Sequence, residues 1–134
     1  MSEWRKRALE ALPDLRREIE VVPNVMSLWI DLRSAFEAAY EAQPRDEERI
    51  RQIYRLALGT LTEPPGPDAL TAVVVAFFEH LPTSQSVRED MHRWVPPDVF
   101  HALEKPFRYF LSEEEFVALG VSYRTRRAAW LGER

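Results

Sequence analysis

The histidines are the residues best suited to catalytic or metal chemistry in this chain of 134 residues. Glu89 and His92 have Glu-x-x-His spacing, which places both side chains on one face of a helix, as in di-iron bundles. His101 and Glu104 have the reverse spacing. A di-iron site needs two Glu-x-x-His helices and two further glutamates, whereas this sequence holds one such element. These four residues define a metal-dependent enzyme as one hypothesis. The interpretation we favour is that they form two solvated polar pairs.

A carboxylate is also expected at the end of an apolar helix. Glu79 shares a helical face with Ala72 and Ala76, so its carboxylate would be partly desolvated and would need an arginine partner. Arg33 and Arg108 are the candidates for that partner. We therefore predict a buried ion pair with a structural role rather than a proton-transfer site.

The C-terminal segment, residues 121–134, combines four arginines with Tyr123 and Trp130. Single-stranded nucleic acid uses such mixtures for phosphate contacts and base stacking. However, residues 21–120 hold nine basic and 16 acidic side chains, a net charge of −7, which would repel a phosphate backbone. An RNA-binding regulator is therefore an alternative that we rank below docking of this tail on its own domain or on an acidic partner.

Composition excludes several classes of site. The chain has no cysteine, which rules out disulfides, zinc sites built on thiolates and a cysteine nucleophile. It contains no His-Glu-x-x-His, Gly-x-Ser-x-Gly, P-loop or Gly-x-Gly-x-x-Gly motif, and its four glycines are few for a phosphate-binding loop. We therefore expect no catalytic residue and no cofactor.

The sequence also lacks the signals of export and membrane insertion. No apolar run reaches the roughly 18 residues that a membrane span requires. The first seven residues lead into a mixed polar segment rather than the hydrophobic stretch of a signal peptide. We accordingly expect a cytoplasmic protein that does not contact a membrane.

Prolines, capping residues and apolar spacing divide the chain into segments that are predicted to be helical. The candidate side chains are therefore expected to lie on helices. Asn24 and Asp46 are N-cap candidates for two long helices, and Ser112 with Glu115 has capping-box spacing. The run Val73-Val-Val-Ala-Phe-Phe78 also fits a buried strand, but such a strand would lack sheet partners elsewhere. We therefore predict an all-α single compact bundle of six to eight helices with a buried central helix over 68–81.

The predicted domain covers residues 1–120, and the basic tail covers residues 121–134. Gly120 is expected to end the helix that follows Ser112, because glycine readily adopts the left-handed conformation of a helix terminator. Thr125 is then expected to cap a short last helix that runs through Trp130 to Gly132.

Three sequence segments suggest a relationship to known proteins. The segments Asn24-Val-Met-Ser-Leu-Trp-Ile-Asp-Leu32, Thr71-Ala-Val-Val-Val-Ala-Phe-Phe-Glu-His-Leu-Pro82 and Phe107-Arg-Tyr109 resemble an uncharacterised family of small, mostly helical bacterial proteins. The similarity covers about residues 12–119. It implies a bacterial cytosolic protein and carries no activity. By analogy, small acidic helical proteins of this type include immunity proteins that neutralise toxins.

Taken together, the residues favour a non-enzymatic protein-interaction module that uses an acidic helical surface, with an immunity or antitoxin role as its most specific form. Ile30, Trp94 and Trp130 are large apolar residues without an assigned place in the core, so they are the candidate partner-binding residues. The expected partner is a basic protein, and a homodimer is a further arrangement that the sequence allows.

Overall fold

The computed structural model describes residues 1–133, and in this part of the chain it is all-α. Nine α-helices and no β-strand are found there. They are α1 (Glu3–Ala11), α2 (Arg16–Val21), α3 (Val25–Glu41), α4 (Glu47–Thr62), α5 (Ala69–Val73), α6 (Gln85–Asp90), α7 (Pro97–Ala102), α8 (Glu104–Arg108) and α9 (Glu113–Gly132). The all-α prediction is confirmed. The predicted number of helices is too low, because short turns divide several of the expected segments.

Local capping signals set three of the long helices. The side chain of Asn24 accepts a hydrogen bond from Ser27 N at 2.8 Å at the start of α3, and Asp46 accepts one from Arg49 N at 3.1 Å at the start of α4. At the start of α9, Ser112 and Glu115 form a complete capping box. These caps satisfy amide groups that have no partner inside the helix.

The valine-rich run near the middle of the chain is helical, so the strand alternative is excluded. It is not, however, the single buried helix that we predicted. The five-residue helix α5 is followed by a π-helical turn over Val74–Phe78. Ala72, Val73 and Phe77 are buried, whereas Leu70 and Val75 are exposed. The wider π turn moves successive side chains off the α-helical register, which leaves this segment with one exposed side.

The chain divides into two compact units, Met1–Phe77 and Phe78–Arg134. The core of the first unit is an aromatic cluster centred on Phe36 of α3. Its ring centroid lies 5.1 Å from Tyr40, 5.1 Å from Tyr54 and 5.0 Å from Phe77, in edge-to-face arrangements. Such pairs add to the stabilisation that burial alone supplies.

In the first unit, Arg5 of α1 links the N-terminal helix to the end of α2. Its guanidinium donates to the carbonyl oxygens of Ile19 at 2.6 Å, Glu20 at 3.0 Å and Val22 at 2.9 Å. Ile19 and Glu20 belong to the last turn of α2, and Val22 directly follows it. Carbonyl oxygens at this end of a helix accept no hydrogen bond from within the helix. A single side chain from α1 therefore caps α2.

In the second unit, α9 packs against the segments that precede it through Tyr123. The hydroxyl of Tyr123 donates to Val95 O at 2.5 Å, and its ring stacks on Phe100 at a centroid distance of 4.1 Å. Burial raises the pKa of this phenol. Both contacts hold the C-terminal half of α9 on its own unit.

The prediction that a helix ends at Gly120 is wrong, since α9 runs through this residue and has 20 residues in all. Gly66 is the glycine with a positive φ, at 119°, in the proline-rich loop after α4. Gly120 instead provides close packing, because a Cβ there would lie 3.1 Å from Nη1 of Arg124. Thr125 is consequently an internal residue of α9 rather than a cap.

Candidate functional site

The first unit contains an apolar groove between the segment that ends in α2 and the following helix α3. Its volume is about 210 Å³. The floor consists of aliphatic side chains that are buried, apart from the half-buried Leu15, and its walls carry two carboxylates. The floor residues are Leu15, Ile19, Val22, Leu28 and Leu32, and the wall residues are Glu18, Asp31, Ser34 and Ala35.

Helix geometry explains how the groove forms. Ile19 and Val22 are three residues apart at the end of α2, and Leu28 and Leu32 are four apart on α3, so each pair lies on one helical face. The turn after α2 is short, which places the two faces side by side. Because α2 has only six residues, it does not cover the whole apolar face of α3.

The electrostatics of the groove are acidic. Glu18 and Asp31 are both exposed at its walls. Among residues 1–133, the ion pairs of the neighbouring surface join Arg16 to Glu20 and Arg33 to Glu37, and they leave the two wall carboxylates available to a ligand. An apolar floor between two carboxylates is suited to a large aliphatic side chain flanked by cations.

The size of the groove favours a protein segment over a small molecule. Small-molecule sites usually enclose about 300 to 1,000 Å³. The groove, at about 210 Å³, is smaller than that range and has room for one or two side chains. A docked peptide or protein loop could fill it with a single anchor residue.

A larger cleft, of about 450 Å³, lies between α1 and α4 in the same unit. Half of its lining residues are charged, three arginines and two glutamates, so both signs of charge are present. Arg51 pairs with Glu48, and Arg7 donates to Glu63 O at 2.5 Å. The mixture of opposite charges fits a structural role better than recognition of one ligand class.

The four candidate metal ligands take part in local contacts. His101 Nδ1 lies 3.0 Å from Glu104 Oε1, and the histidine side chain is 84% exposed. Glu89 accepts a hydrogen bond from Gln85 Nε2 at 3.0 Å. Within residues 1–133, no group of three or more histidine, aspartate or glutamate side chains is arranged to hold a metal ion.

His92 is packed against the C-terminal helix. Its ring lies edge to face with Trp130 at 6.1 Å, and its carbonyl oxygen accepts from Arg127 Nη1 at 2.9 Å. Nδ1 is buried, and its contact with the backbone of Glu89 does not have the geometry of a standard hydrogen bond. Desolvation lowers the pKa of this imidazole, assisted by the nearby Arg126 and Arg93 and opposed by Asp90 and by the Glu89 backbone.

Glu79 is partly exposed rather than buried. Arg33 instead lies 3.9 Å from Glu37 and donates to Ala76 O, and Arg108 makes two hydrogen bonds to Glu113, at 2.7 and 2.9 Å. Both arginines are therefore held by glutamates on or next to their own helices. The predicted ion pair of Glu79 with Arg33 or Arg108 is therefore not found among the described residues.

The three candidate partner-binding residues lie in different surroundings. Ile30 is 44% exposed on α3 in the first unit. Trp94, in the second unit, is half-buried, and its Nε1 donates to Asp90 Oδ2 at 3.0 Å. Trp130 is half-buried beside His92 and the guanidinium of Arg127, which lies 5.7 Å from the ring centroid. The two tryptophans thus serve local packing, and Ile30 is the exposed member of the set.

The basic tail is the C-terminal half of α9. Tyr123 is buried and Arg127 is bonded to His92 O, so neither presents the free surface that base stacking would need. Arg124 and Arg126 are exposed. This arrangement weakens the argument for nucleic acid.

The sequence alone does not reveal the groove. Apolar spacing predicts Ile19 and Leu32 on the core-facing sides of their helices and Asp31 on the polar side of α3. The missing information was the length of α2, because a six-residue helix cannot cover a helix of 17 residues. The short interval between Pro13 and Pro23 was the available signal.

None of the helices within residues 1–133 combines the length and the apolar character that crossing a lipid bilayer requires. No protein-family model matches the chain, and no curated protein or solved structure is significantly similar to it. The resemblance to small helical bacterial proteins therefore remains a prediction, and the function is inferred from the geometry of the chain itself.

Proposed function

We propose that this protein is a non-enzymatic interaction module of a bacterial cytoplasm that binds a basic protein segment in the groove between α2 and α3. The observation that carries the proposal is the apolar floor of the groove between the carboxylates of Glu18 and Asp31. Neutralisation of a basic toxin by an immunity-type protein is the most specific form of this function. The acidic balance of residues 21–120 supports it, because like charge would repel acidic competitors.

The chemistry of the groove defines the partner. An aliphatic or aromatic anchor would displace water from the floor, and a lysine or arginine on each side of the anchor would face Glu18 and Asp31. Because both carboxylates are exposed, they contribute more to the association rate and to selectivity than to affinity. Binding should consequently weaken as salt rises.

A titration with synthetic peptides tests this directly. The probe is a short peptide that carries one leucine between two lysines, and the control peptide has glutamates in place of the lysines. In a nitrogen-15 NMR titration we expect the basic peptide to shift amide signals of Ile19, Leu28 and Leu32, and the acidic peptide to leave them unchanged. Equal shifts with both peptides, or none with either, would contradict the proposal.

Charge reversal then tests the role of the walls. Glu18→Lys and Asp31→Lys should each weaken binding of the basic peptide by about tenfold or less, in line with exposed charge pairs. Glu41→Lys is the matched control, since Glu41 is exposed on α3 but does not line the groove. If Glu41→Lys weakens binding as much as Asp31→Lys does, binding depends on overall charge and the groove is not the site.

A further inference from the structure

Helix α9 has an apolar stripe on the face that points away from its own unit. Val117, Val121 and Leu131 are 55%, 52% and 46% exposed, and Ala128 is exposed as well. Leu119 and Tyr123 are buried on a different face of the helix, which packs against its own unit. The helix therefore has two apolar faces, of which its own unit covers one.

The spacing of the stripe matches a helix–helix seam. Val117, Val121, Arg124, Ala128 and Leu131 follow one another at intervals of four, three, four and three residues. This is the heptad pattern of core positions in a coiled coil, and Glu114 extends it by one step towards the N-terminus. Ala118 and Thr125 flank the seam, and their small side chains would let a second helix approach closely.

The distribution of charge along α9 indicates which helix would pack against its exposed face. The first turn carries Glu113, Glu114 and Glu115, and the C-terminal half carries Arg124, Arg126 and Arg127. An antiparallel copy of the same helix places acidic turns against basic turns at both ends. A parallel copy would place like charges together.

The seam is self-complementary about one point. Val117 and Val121 are centred on residue 119, and so are Glu114 and Arg124. A twofold axis at that level packs Val117 of each copy against Val121 of the other, and Glu114 of each copy against Arg124 of the other. Each contact then occurs twice, as an isologous interface requires.

The alternative antiparallel register is disfavoured by charge. Packing Val117 against Leu131 of the second copy centres the axis on Arg124. The two Arg124 guanidinium groups would then face each other, and like charges in direct opposition are destabilising. The register centred on residue 119 avoids this contact and forms two ion pairs in its place.

We propose that the exposed face of α9 is a self-association surface, through which two copies of this chain pair antiparallel about residue 119. In this register the paired segment covers residues 114–124 of each copy, about three helical turns, and leaves Ala128 and Leu131 outside it. Such a seam buries less than the roughly 1,200 Å² of a stable complex, so the dimer is weak and reversible. This surface is separate from the α2–α3 groove, and the proposal does not depend on the proposed function.

Sedimentation equilibrium over protein concentrations from about 10 µM to about 1 mM tests the association. We expect the wild-type mass to rise with concentration towards that of a dimer. Val121→Glu should remain monomeric over the same range. Ala129→Glu is the matched control, because Ala129 is exposed on α9 outside the seam and should leave the dimer intact. Circular dichroism confirms that each variant is folded.

A charge-swap experiment tests the register. Glu114→Arg and Arg124→Glu each create two like-charge contacts and should each weaken the homodimer. When the two variants are mixed in equal amounts, both ion pairs form again in the heterodimer, one of them with reversed polarity, so the mixture should dimerise. This recovery cannot arise from a general effect of charge on either variant.

The proposal is overturned if the wild-type chain is monomeric at every concentration, or if Val121→Glu associates as the wild type does. Failure of the mixed variants to recover association would exclude the antiparallel register. Binding of a different protein at this face, with a monomeric wild-type chain, would also overturn it. Glu18→Lys, in the groove, should not weaken the dimer, so the two proposals fail independently.

Discussion

His92 is an imidazole whose environment favours the neutral form. It is packed against Trp130, its Nδ1 is buried without a standard hydrogen bond among the described residues, and desolvation lowers its pKa. A histidine in these surroundings is better described as a packing residue than as a proton carrier. The sequence pattern with Glu89 suggested a ligand, but spacing alone does not report whether a ring nitrogen is accessible.

The lowered pKa of His92 predicts a pH dependence of stability. Below about pH 6.5 the unfolded chain takes up a proton that the folded chain resists, so the free energy of unfolding falls as pH falls through this range. His92→Phe keeps the ring contact with Trp130 and removes the proton, so it should flatten this part of the profile. Urea denaturation between pH 5 and pH 8 measures it.

His101→Gln is the control for that experiment. The His101 side chain is 84% exposed, so this substitution removes one histidine without removing a packed ring. If His92→Phe retains the wild-type slope, or if His101→Gln removes it, burial of His92 is not the cause of the pH dependence.

At the scale of elements, the starts of helices could be predicted from their capping residues, whereas the continuation of a helix through a glycine could not. Asn24, Asp46 and the Ser112–Glu115 box act within one helical turn, so their sequence signals suffice. Gly120 was misleading, because its conformation depends on neighbours that pack against it. The expected break at this glycine also hid the four–three spacing of Val117, Val121 and Arg124, which becomes apparent only on a continuous helix.

The internal position of Gly120 predicts the effect of replacing it. Gly120→Ala should raise the free energy of unfolding by up to about 1 kcal/mol through helix propensity, less the cost of moving the Arg124 side chain. Gly66→Ala should lower it by about 1 kcal/mol or more, because Gly66 has a φ of 119°. Chemical denaturation of both variants tests these opposite signs.

Gly59→Ala supplies the reference for the helical case, since Gly59 lies within α4 and a Cβ there meets nothing within 4 Å. The difference between the gains at positions 59 and 120 then measures the displacement of Arg124. A loss of stability at position 120 that equals the loss at position 66 would show that α9 ends there.

At the scale of the whole molecule, net charge opposes self-association. The chain carries a formal net charge of −4 at pH 7, and its isoelectric point is about 5.4. Two copies therefore repel each other at neutral pH, although the α9 seam is locally complementary. This repulsion weakens as the pH approaches the isoelectric point.

Dimerisation should consequently strengthen by a few-fold when the pH is lowered from about 7.5 to about 6, since the charge on each copy decreases. Sedimentation equilibrium at the two pH values provides the measurement. Val121→Glu, analysed in parallel, should show no comparable change in mass. A dimer that weakens on acidification would indicate that a titrating group in the seam, rather than net charge, controls association.

The contact between Arg5 and the last carbonyls of α2 has a practical consequence for experiments. One side chain near the start of the chain secures the short helix that forms a wall of the groove. A truncated protein that lacks Arg5 would lose these hydrogen bonds, and α2 would be held less firmly although every groove residue is unchanged. Ligand surveys should therefore use chains with an intact N-terminus, and a negative result from a trimmed one would say little about the groove.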